Sequence, residues 1–292
     1  MNLPHALPWL DERRSALLAE IGVPAWWQPR ALLPRPAAPA EAPTLVEPTL
    51  PVRTAPIPKI PAPEAPAPVP IERPVALQPA TEIATLDWPE LETAIHACQR
   101  CGLAACRQRP VPGVGDRRPT WLIVGEAPGE EEDRQGEPFV GRTGRLLDRM
   151  LAALDLQRGH GVYIANVLKC RPPRNRNPEP EEIARCAPYL LRQIALLQPR
   201  LVLALGRFAA QTLLAEGGCL PAQELAATPL GRLRGRVFQA RLGQLTLPVV
   251  VSYHPAYLLR NPVDKGKAWA DLCLAAETLA SADGAALGAP PA

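Results

Sequence analysis

Four short apolar runs dominate the second half of the chain. They span residues 121–125 (WLIVG), 162–167 (VYIANV), 201–206 (LVLALG) and 247–253 (LPVVVSY). Continuous apolar character between turn residues is typical of strands that are buried on both faces. Stretches with helical spacing of apolar residues accompany these runs, near residues 143–155, 179–198, 207–216 and 264–280. Strands that alternate with helices in this way predict a three-layer α/β/α fold with a central four-stranded parallel sheet.

The N-terminal part of the chain has a different pattern. Residues 8–28 space their apolar positions as a short amphipathic helix would, up to Pro24. Sixteen of the 38 prolines lie between Pro29 and Pro79, and this composition favours an extended, disordered spacer over a folded domain. We therefore expect four regions: a helical segment at 1–28, a Pro/Ala-rich linker at 29–84, a folded domain at 85–283 and a flexible tail at 284–292.

Charge and missing motifs narrow the class of function. The chain has 32 Lys and Arg residues against 29 Asp and Glu, a net charge of +3. Nearly all of these cations are Arg, which binds phosphate oxygens in bidentate fashion, so a nucleic-acid partner is allowed but not required. Dinucleotide, P-loop, serine-hydrolase and zinc-protease motifs are absent. No apolar run approaches the ~20 residues of a membrane span, and no secretory signal is visible. We therefore expect a cytoplasmic protein that does not contact a membrane.

Four of the seven cysteines have a spacing typical of a metal site. Cys98 and Cys101 form a C-x2-C pair, and Cys170 and Cys186 follow at a distance. On spacing alone this set suits zinc and a [4Fe–4S] cluster equally well, and buried free thiols are the third interpretation. Cys106 could replace one of the four as a ligand. The two remaining cysteines, at 219 and 273, lie among apolar residues that are typical of a core.

Three polar residues follow three different predicted strands. Glu126 comes directly after the first strand, Asn166 lies at the end of the second, and His254 follows the fourth. The carboxyl ends of parallel strands share one edge of a sheet, and ligand crevices form just outside that edge. Each residue alone is a weak signal, but their common placement predicts a functional site there.

Five ordered blocks of the sequence closely resemble the family 4 uracil-DNA glycosylases, the iron–sulfur-containing branch of that superfamily. The blocks are GEAPGEEED (125–133), EPFVGRTGRLLD (137–148), NVLKCRPP (166–173), LGRFAAQTLL (205–214) and SYHPAYLLRNP (252–262). The resemblance covers about residues 95–280 and implies a DNA repair enzyme. Such an enzyme hydrolyses the glycosidic bond of uracil flipped out of DNA and leaves an abasic site for base excision repair. The alternative is a non-catalytic module that binds nucleic acid or protein within a replication or repair complex.

The resemblance also implies a role for each matching residue. Glu126 would orient or activate the attacking water, and His254 would hydrogen-bond O2 of the departing base. Glu132 would exclude the methyl group of thymine, Phe139 would stack on the flipped uracil, and Asn166 would read its polar edge. The resemblance also places Ala127 in the substrate site. It further implies a [4Fe–4S] cluster, and the residues that match its ligands are Cys98, Cys101, Cys170 and Cys186. Cys106 is not among these ligands.

Ala127 also separates the chain from a sister branch that crosslinks covalently to DNA. That branch carries Gln at this position and a His in an inserted basic loop, and neither is present here. The sequence therefore favours an enzyme that turns over.

Interactions with DNA and with other proteins complete the set of expectations. Arg171, Arg174 and Arg176 lie in the Pro-rich loop after Cys170 and are expected to contact phosphates of uracil-containing DNA. Leu258, or its neighbour Leu259, is the candidate wedge for the gap left by the flipped base. We expect a monomer. The N-terminal helix is expected to dock on its own domain or to recruit a repair or replication protein.

Overall fold

A central sheet organises the protein. The computed structural model describes residues 12–20, 22–23 and 80–287. The strands are β1 (Val114–Gly115), β2 (Trp121–Gly125), β3 (Val162–Asn166), β4 (Leu201–Leu205), β5 (Val237–Leu242) and β6 (Leu245–Ser252). The α-helices are α1 (Glu12–Glu20), α2 (Ala80–Ile83), α3 (Trp88–Ala97), α4 (Glu130–Gln135), α5 (Gly141–Ala152), α6 (Pro180–Leu197), α7 (Arg207–Glu216), α8 (Ala222–Ala227), α9 (Leu230–Leu233), α10 (Pro255–Arg260) and α11 (Lys265–Leu287).

The sheet contains the predicted parallel strands and two further edge strands. Its six strands are ordered β1-β3-β2-β4-β6-β5, and the inner four are mutually parallel. Strand β1 pairs with β3 and β5 pairs with β6, both antiparallel. The sheet therefore has two more strands, both at its edges, than the four that were predicted. Strand β1 is only two residues long, and β5 alternates between buried and exposed positions, so neither forms a continuous apolar run.

Helices cover both faces of the sheet and confirm the predicted three-layer fold. On one face, α5 and α11 bury residues such as Leu147 and Leu272 against the strands. On the other face, α6 and α7 do the same with Ile194 and Leu213. A smaller apolar cluster joins α2, α3 and α6 and includes Cys170 and Cys186. Among the described helices, none combines the length and the apolar character needed to cross a membrane.

The strand register aligns the ends that carry the predicted site. Gly125, at the end of β2, lies opposite Asn166, at the end of β3. On the other side of the sheet, Leu205 at the end of β4 pairs with Ser252 at the end of β6. The loops that follow these strands therefore leave the sheet at one edge, as expected for parallel strands.

Helix α1 lies within the predicted helical segment 1–28 and docks on the folded domain. Leu18 and Val23 are buried in the same core as α5 and α11. Ion pairs flank this contact, between Arg13 and Asp155 at 3.3 Å and between Glu20 and Arg149. The remainder of the predicted helical segment lies outside the described residues.

The described ends of the predicted linker and tail contain helical residues. Residues 24–79 and 288–292 lie outside the described residues. Within the linker predicted at 29–84, Ala80–Ile83 forms α2, because Ile83 is buried against α6 and its neighbours. At the other end, α11 continues to Leu287, into the predicted tail.

Candidate active site

A cavity of about 590 Å³ opens at the carboxyl edge of the sheet. This volume is typical of sites for small molecules. Its walls come from the loops after β2, β3, β4 and β6. All of the predicted catalytic and substrate-binding residues line it, together with one of the predicted DNA contacts: Glu126, Ala127, Glu132, Phe139, Asn166, His254 and Arg176. The structure therefore brings together residues that lie up to 128 positions apart in the sequence.

Asn166 offers an unused polar group at the base of this cavity. Its side chain is 2% exposed, and its Oδ1 atom has no hydrogen-bond partner in the described residues. Buried polar atoms are nearly always paired, so an unpaired one that lines a cavity indicates a ligand group. An amide presents one acceptor and two donor hydrogens, and it can therefore pair with a ligand that offers both kinds of group.

The position of Asn166 depends on a glycine in the neighbouring strand. A Cβ atom at Gly125 would lie 2.4 Å from Asn166 Oδ1 and 2.5 Å from the Phe139 ring. Only glycine lets both side chains approach the strand end this closely. The end of β2 thus forms a flat base on which an amide and an aromatic ring meet.

Phe139 is held in an unusual backbone conformation. Its φ angle is 54°, in the left-handed region that non-glycine residues rarely adopt. Gly144 accommodates the turn, because a Cβ there would lie 1.7 Å from the Phe139 carbonyl oxygen. Arg158 fixes the same turn by donating to that oxygen and to the Pro138 carbonyl, each at 2.8 Å. Strain of this kind often occurs at functional sites, and here it places the ring at the cavity wall.

His254 faces the Phe139 ring and is neutral at physiological pH. The two ring centroids are 5.3 Å apart. His254 Nδ1 accepts the backbone N–H of Ala256 at 3.2 Å, at the start of α10. Burial, and secondarily the charge of Arg260, lowers the pKa of His254 to about 4. The neutral ring accepts at Nδ1, so its proton is on Nε2, which makes Nε2 a hydrogen-bond donor.

Two glutamates near β2 have different environments. Burial raises the pKa of Glu126, and the nearby charge of Arg207 partly opposes this shift. The carboxylate of Glu132 accepts the backbone N–H groups of Gly129 and Val140, each at 3.1 Å. Glu132 therefore ties the loop after β2 to the segment that carries Phe139, while Glu126 remains available for chemistry.

Ala127 lies between the cavity and the cysteine-rich cluster. It lines the cavity and packs against the apolar residues around Cys170 and Cys186. A larger side chain at this position would have to enter one of the two regions. The small residue is consistent with the open pocket observed here.

The predicted phosphate contacts differ in how available they are. Arg171 pairs with Glu130 at 3.1 Å, and Arg176 donates to Glu182 at 2.9 Å. Arg174 is exposed but does not line the cavity. Of the three predicted arginines, only Arg176 reaches the cavity wall, and it is engaged by a carboxylate.

Sequence reasoning missed two arginines at the rim of the cavity. Arg207 begins α7 directly after β4, and Arg260 ends α10 six residues after His254. Both side chains are exposed and line the cavity. Their positions in the sequence could have predicted this location, because Arg207 follows a strand end and Arg260 lies close to His254. Binding sites of parallel sheets lie at the carboxyl ends of the strands.

Leu258 belongs to the core and not to the exposed surface. Its side chain is fully buried with Leu146, Met150 and Trp269. This burial argues against the predicted contact of Leu258 with DNA, since α10 turns this position toward α5 and α11. Its neighbour Leu259 is half-buried.

The four predicted cysteine ligands surround one small cavity. Cys98 ends α3, Cys101 follows it, Cys170 lies after β3, and Cys186 is in α6. Arg107 donates to Cys170 Sγ at 2.9 Å, and the backbone N–H of Lys169 approaches Cys186 Sγ at 3.3 Å.

The burial of these thiols determines how readily they can carry negative charge. Burial raises the pKa of Cys101 and Cys170, and that of Cys186 to about 12, so negative charge is costly here without a cation. No three His, Cys, Asp or Glu side chains of the described residues are placed to hold one metal ion. The four thiols that line this cavity nevertheless have the donor composition of an iron–sulfur site.

The other cysteines lie apart from this cavity. Cys106 is exposed and lines a separate surface hollow, which Cys101 shares. Cys273 is buried in the core, and Cys219 is half-buried with its sulfur against backbone oxygens. These positions agree with the expectation that 219 and 273 are packing residues.

Comparisons with known proteins identify the family of the chain. Residues 112–273 match the uracil DNA glycosylase superfamily. The type-4 uracil-DNA glycosylase of Pyrobaculum aerophilum is 41% identical over 65% of this chain and 93% of its own length. The type-4 uracil-DNA glycosylase of Archaeoglobus fulgidus is 44% identical over 58% of this chain and 81% of its own length. A type-5 uracil-DNA glycosylase of Thermus thermophilus is 38% identical over 38% of this chain and 56% of its own length. The chain therefore belongs to the uracil DNA glycosylase superfamily, and within it to the type 4 branch.

Proposed function

We propose that this protein is a DNA repair glycosylase that hydrolyses the N-glycosidic bond of uracil and leaves an abasic site in DNA. The observation that carries this proposal is the buried, unpaired amide of Asn166 at the base of a cavity that Phe139 and His254 also line. A glycosylase must extrude its target base into such a pocket, because the glycosidic bond is inaccessible within the duplex. The names of the type-4 relatives support the same function.

The amide of Asn166 suits uracil better than cytosine. Uracil presents an acceptor at O4 beside a donor at N3–H, and one amide can pair with both. Cytosine has the reverse pattern, with a donor at N4 and an acceptor at N3. Phe139 offers a stacking surface, which is worth about 1–3 kcal/mol per base and offsets part of the cost of flipping. We assign exclusion of the thymine methyl group to Glu132, which lines the same cavity.

Glu126 and His254 suit the charges that develop during bond cleavage. The sugar gains positive character and the departing base gains negative charge as the glycosidic bond breaks. We assign Glu126 to the sugar side, where a carboxylate stabilises the cation and orients the attacking water. We assign His254 to O2 of the base. The neutral imidazole carries its proton on Nε2, so this atom can donate a hydrogen bond to O2 and stabilise the developing anion.

Cys98, Cys101, Cys170 and Cys186 would hold a [4Fe–4S] cluster. When bound, the cluster would crosslink the end of α3, the loop after β3 and helix α6, because its four ligands come from these segments. Hydrolysis itself needs no electron transfer. This role would stabilise the loop that follows Asn166, close to the DNA-binding face.

We also propose how the protein meets its partners. Arg207 and Arg260 are the rim cations best placed for DNA phosphates, with Arg174 further out and Arg171 and Arg176 available once their carboxylates are released. We propose that the protein acts as a monomer in the cytoplasm. The apolar face of α1 is buried on the domain and is not available to a partner. We therefore assign recruitment of a repair or replication protein to the residues before α1 and to those between α1 and α2.

Strand scission after alkali treatment tests this function. The full-length protein with its iron retained is incubated with oligonucleotides that carry one uracil, thymine or cytosine at the same position. We expect scission at uracil alone. A folded protein that binds these oligonucleotides and cleaves none of them would overturn the proposal and favour a non-catalytic binding module.

A further inference from the structure

Lys169 is a buried cation that has no carboxylate partner among the described residues. Its side chain is 2% exposed, and Nζ donates to the Asn166 carbonyl oxygen and to Gln193 Oε1, each at 2.7 Å. Both acceptors are neutral. A buried ammonium is costly unless a negative charge compensates for it, so this position requires an explanation.

The other buried charged side chains have evident partners. Glu182 pairs with Arg176, and Asp271 pairs with Arg234 at 2.6 Å. Asp133 accepts the backbone N–H groups of Gln108 and Arg109. Within this set of buried charges, Lys169 is the one cation, and like Asp133 it is held by neutral groups.

The groups near Lys169 that can become negative are the thiols. Lys169 lines the cavity formed by the four cysteines, and its backbone N–H approaches Cys186 Sγ at 3.3 Å. Cysteines bind iron as thiolates, and four thiolates around an iron–sulfur core leave the site with net negative charge. Arg107 donates to Cys170 Sγ, and Arg100 and Arg185 line the same cavity. Four cations of the described residues thus line the thiol cavity, and Lys169 is the buried one among them.

The same ammonium also reaches the base-reading residue. Nζ holds the backbone carbonyl of Asn166, while Gln193 connects it to α6, the helix that carries Cys186. Gln193 is itself fixed by donating to the Pro112 carbonyl at 2.8 Å. One side chain therefore joins the cysteine site to the end of β3, where the unpaired amide lies.

We propose that Lys169 is the internal counter-charge of the cluster site and a positioning residue that couples cluster binding to the placement of Asn166 in the base pocket. Lys169 does not touch the substrate. The first half of this inference rests on the proposed iron–sulfur cluster and the second half also on the proposed activity, because retention of iron does not depend on whether uracil is the substrate. The geometry predicts that loss of the charge weakens the cluster first and the pocket as a consequence.

Iron retention tests the counter-charge. Full-length Lys169→Met is compared with wild type by its iron and sulfide content and by the rate at which a chelator removes iron. We expect iron loss to be about 10- to 100-fold faster, the usual effect of removing a residue that supports metal ligands. The matched control is Gln193→Met, which removes a hydrogen-bond partner of Lys169 but keeps the charge, and which should release iron at nearly the wild-type rate. Equal iron loss in both variants would assign the effect to packing and overturn the proposal.

A second variant decides the matter if Lys169→Met does not fold. Gln193→Glu retains Lys169 and gives it a carboxylate partner at hydrogen-bond distance, so the ammonium no longer compensates the thiolates. We expect this variant to fold and to lose iron faster than Gln193→Met. Wild-type retention of iron by Gln193→Glu would contradict a counter-charge role.

Binding of free uracil tests the coupling to Asn166. Calorimetry on the iron-loaded fraction of each variant measures affinity for the base without requiring turnover. We expect about tenfold weaker uracil binding by Lys169→Met, a loss typical of disturbed supporting shells. Unchanged uracil affinity in that fraction would overturn the coupling. If the wild type excises no uracil from DNA, the proposed function fails, while the iron measurements still test the counter-charge.

Discussion

Two titratable side chains of the pocket have pKa values that burial shifts in opposite directions. Burial disfavours the charged form of each, so it raises the pKa of Glu126 and lowers that of His254 to about 4. Divergent environments of this kind assign separate roles to two groups in one site. The histidine is neutral well above pH 4, so the glutamate is the group of this pair whose ionisation governs the acid limb.

This arrangement predicts the acid limb of the pH–rate profile. Excision should rise with pH as Glu126 loses its proton, with a midpoint above the ordinary carboxyl range. Glu126→Gln should lower the single-turnover rate by about 100-fold or more and abolish the acid limb. Single-turnover rates from acidic to neutral pH measure both effects. Glu130→Gln, an exposed carboxyl nearby, is the matched control and should change neither, whereas an acid limb that persists in Glu126→Gln would contradict this role.

At the scale of single residues, the sequence could predict polar groups at strand ends but not their partners. Glu126, Asn166 and His254 follow apolar runs, and this placement alone brings them to one edge. Neighbouring helix positions point about 100° apart, so the sequence could not tell which of Leu258 and Leu259 faces the core. Likewise, nothing local indicates that Arg171 and Arg176 meet Glu130 and Glu182, because these pairings depend on tertiary structure.

At the scale of elements, continuous apolar runs predict the buried strands and little else. The four parallel strands each carry such a run, whereas β5 and β1 pair at the edges with weaker patterns. The short helices α8 and α9 also lack the length over which helical periodicity is readable. The sequence therefore predicts the layers of the fold but not the strands at the two edges of the sheet.

Two arginines at helix ends supply positive charge at the rim of the pocket. Arg207 at the start of α7 and Arg260 at the end of α10 present exposed guanidinium groups at its rim. Removal of either should weaken DNA binding and reduce the salt dependence of affinity, by about 0.7–0.9 in the slope of log K against log salt per lost contact. Binding titrations of Arg207→Ala and Arg260→Ala at several salt concentrations measure this slope.

Arg171→Ala is the matched control for these rim variants. Its guanidinium is already paired with Glu130 at 3.1 Å, so its removal should change the slope less. A larger change in slope for Arg171→Ala than for both rim variants would contradict the assignment and would restore the loop after Cys170 as the main phosphate contact.

At the scale of the whole molecule, the N-terminal helix is part of the folded domain. Leu18 is 2% exposed and shares the core of α5 and α11. Leu18→Asp should release α1, because an unpaired carboxylate is costly in an apolar core. Hydrogen exchange should then increase on α5, while uracil excision stays at the wild-type level, since α1 does not line the pocket.

Ala19→Asp separates this effect from a change of charge. Ala19 is the exposed neighbour of Leu18 in the same helix, so the same substitution there should leave exchange on α5 unchanged. Wild-type protection of α5 in Leu18→Asp would show that the helix does not depend on this contact.

The most direct measurement is single-turnover uracil excision by the iron-containing full-length protein and by Asn166→Ala. The matched control is Asn177→Ala, which removes an exposed asparagine from the rim of the same pocket. We predict that the wild type and Asn177→Ala excise uracil at similar rates, and that Asn166→Ala loses about 100-fold or more, because a missing partner to buried polar groups is heavily penalised. Excision by Asn166→Ala at the rate of Asn177→Ala would contradict the account of how this pocket recognises uracil.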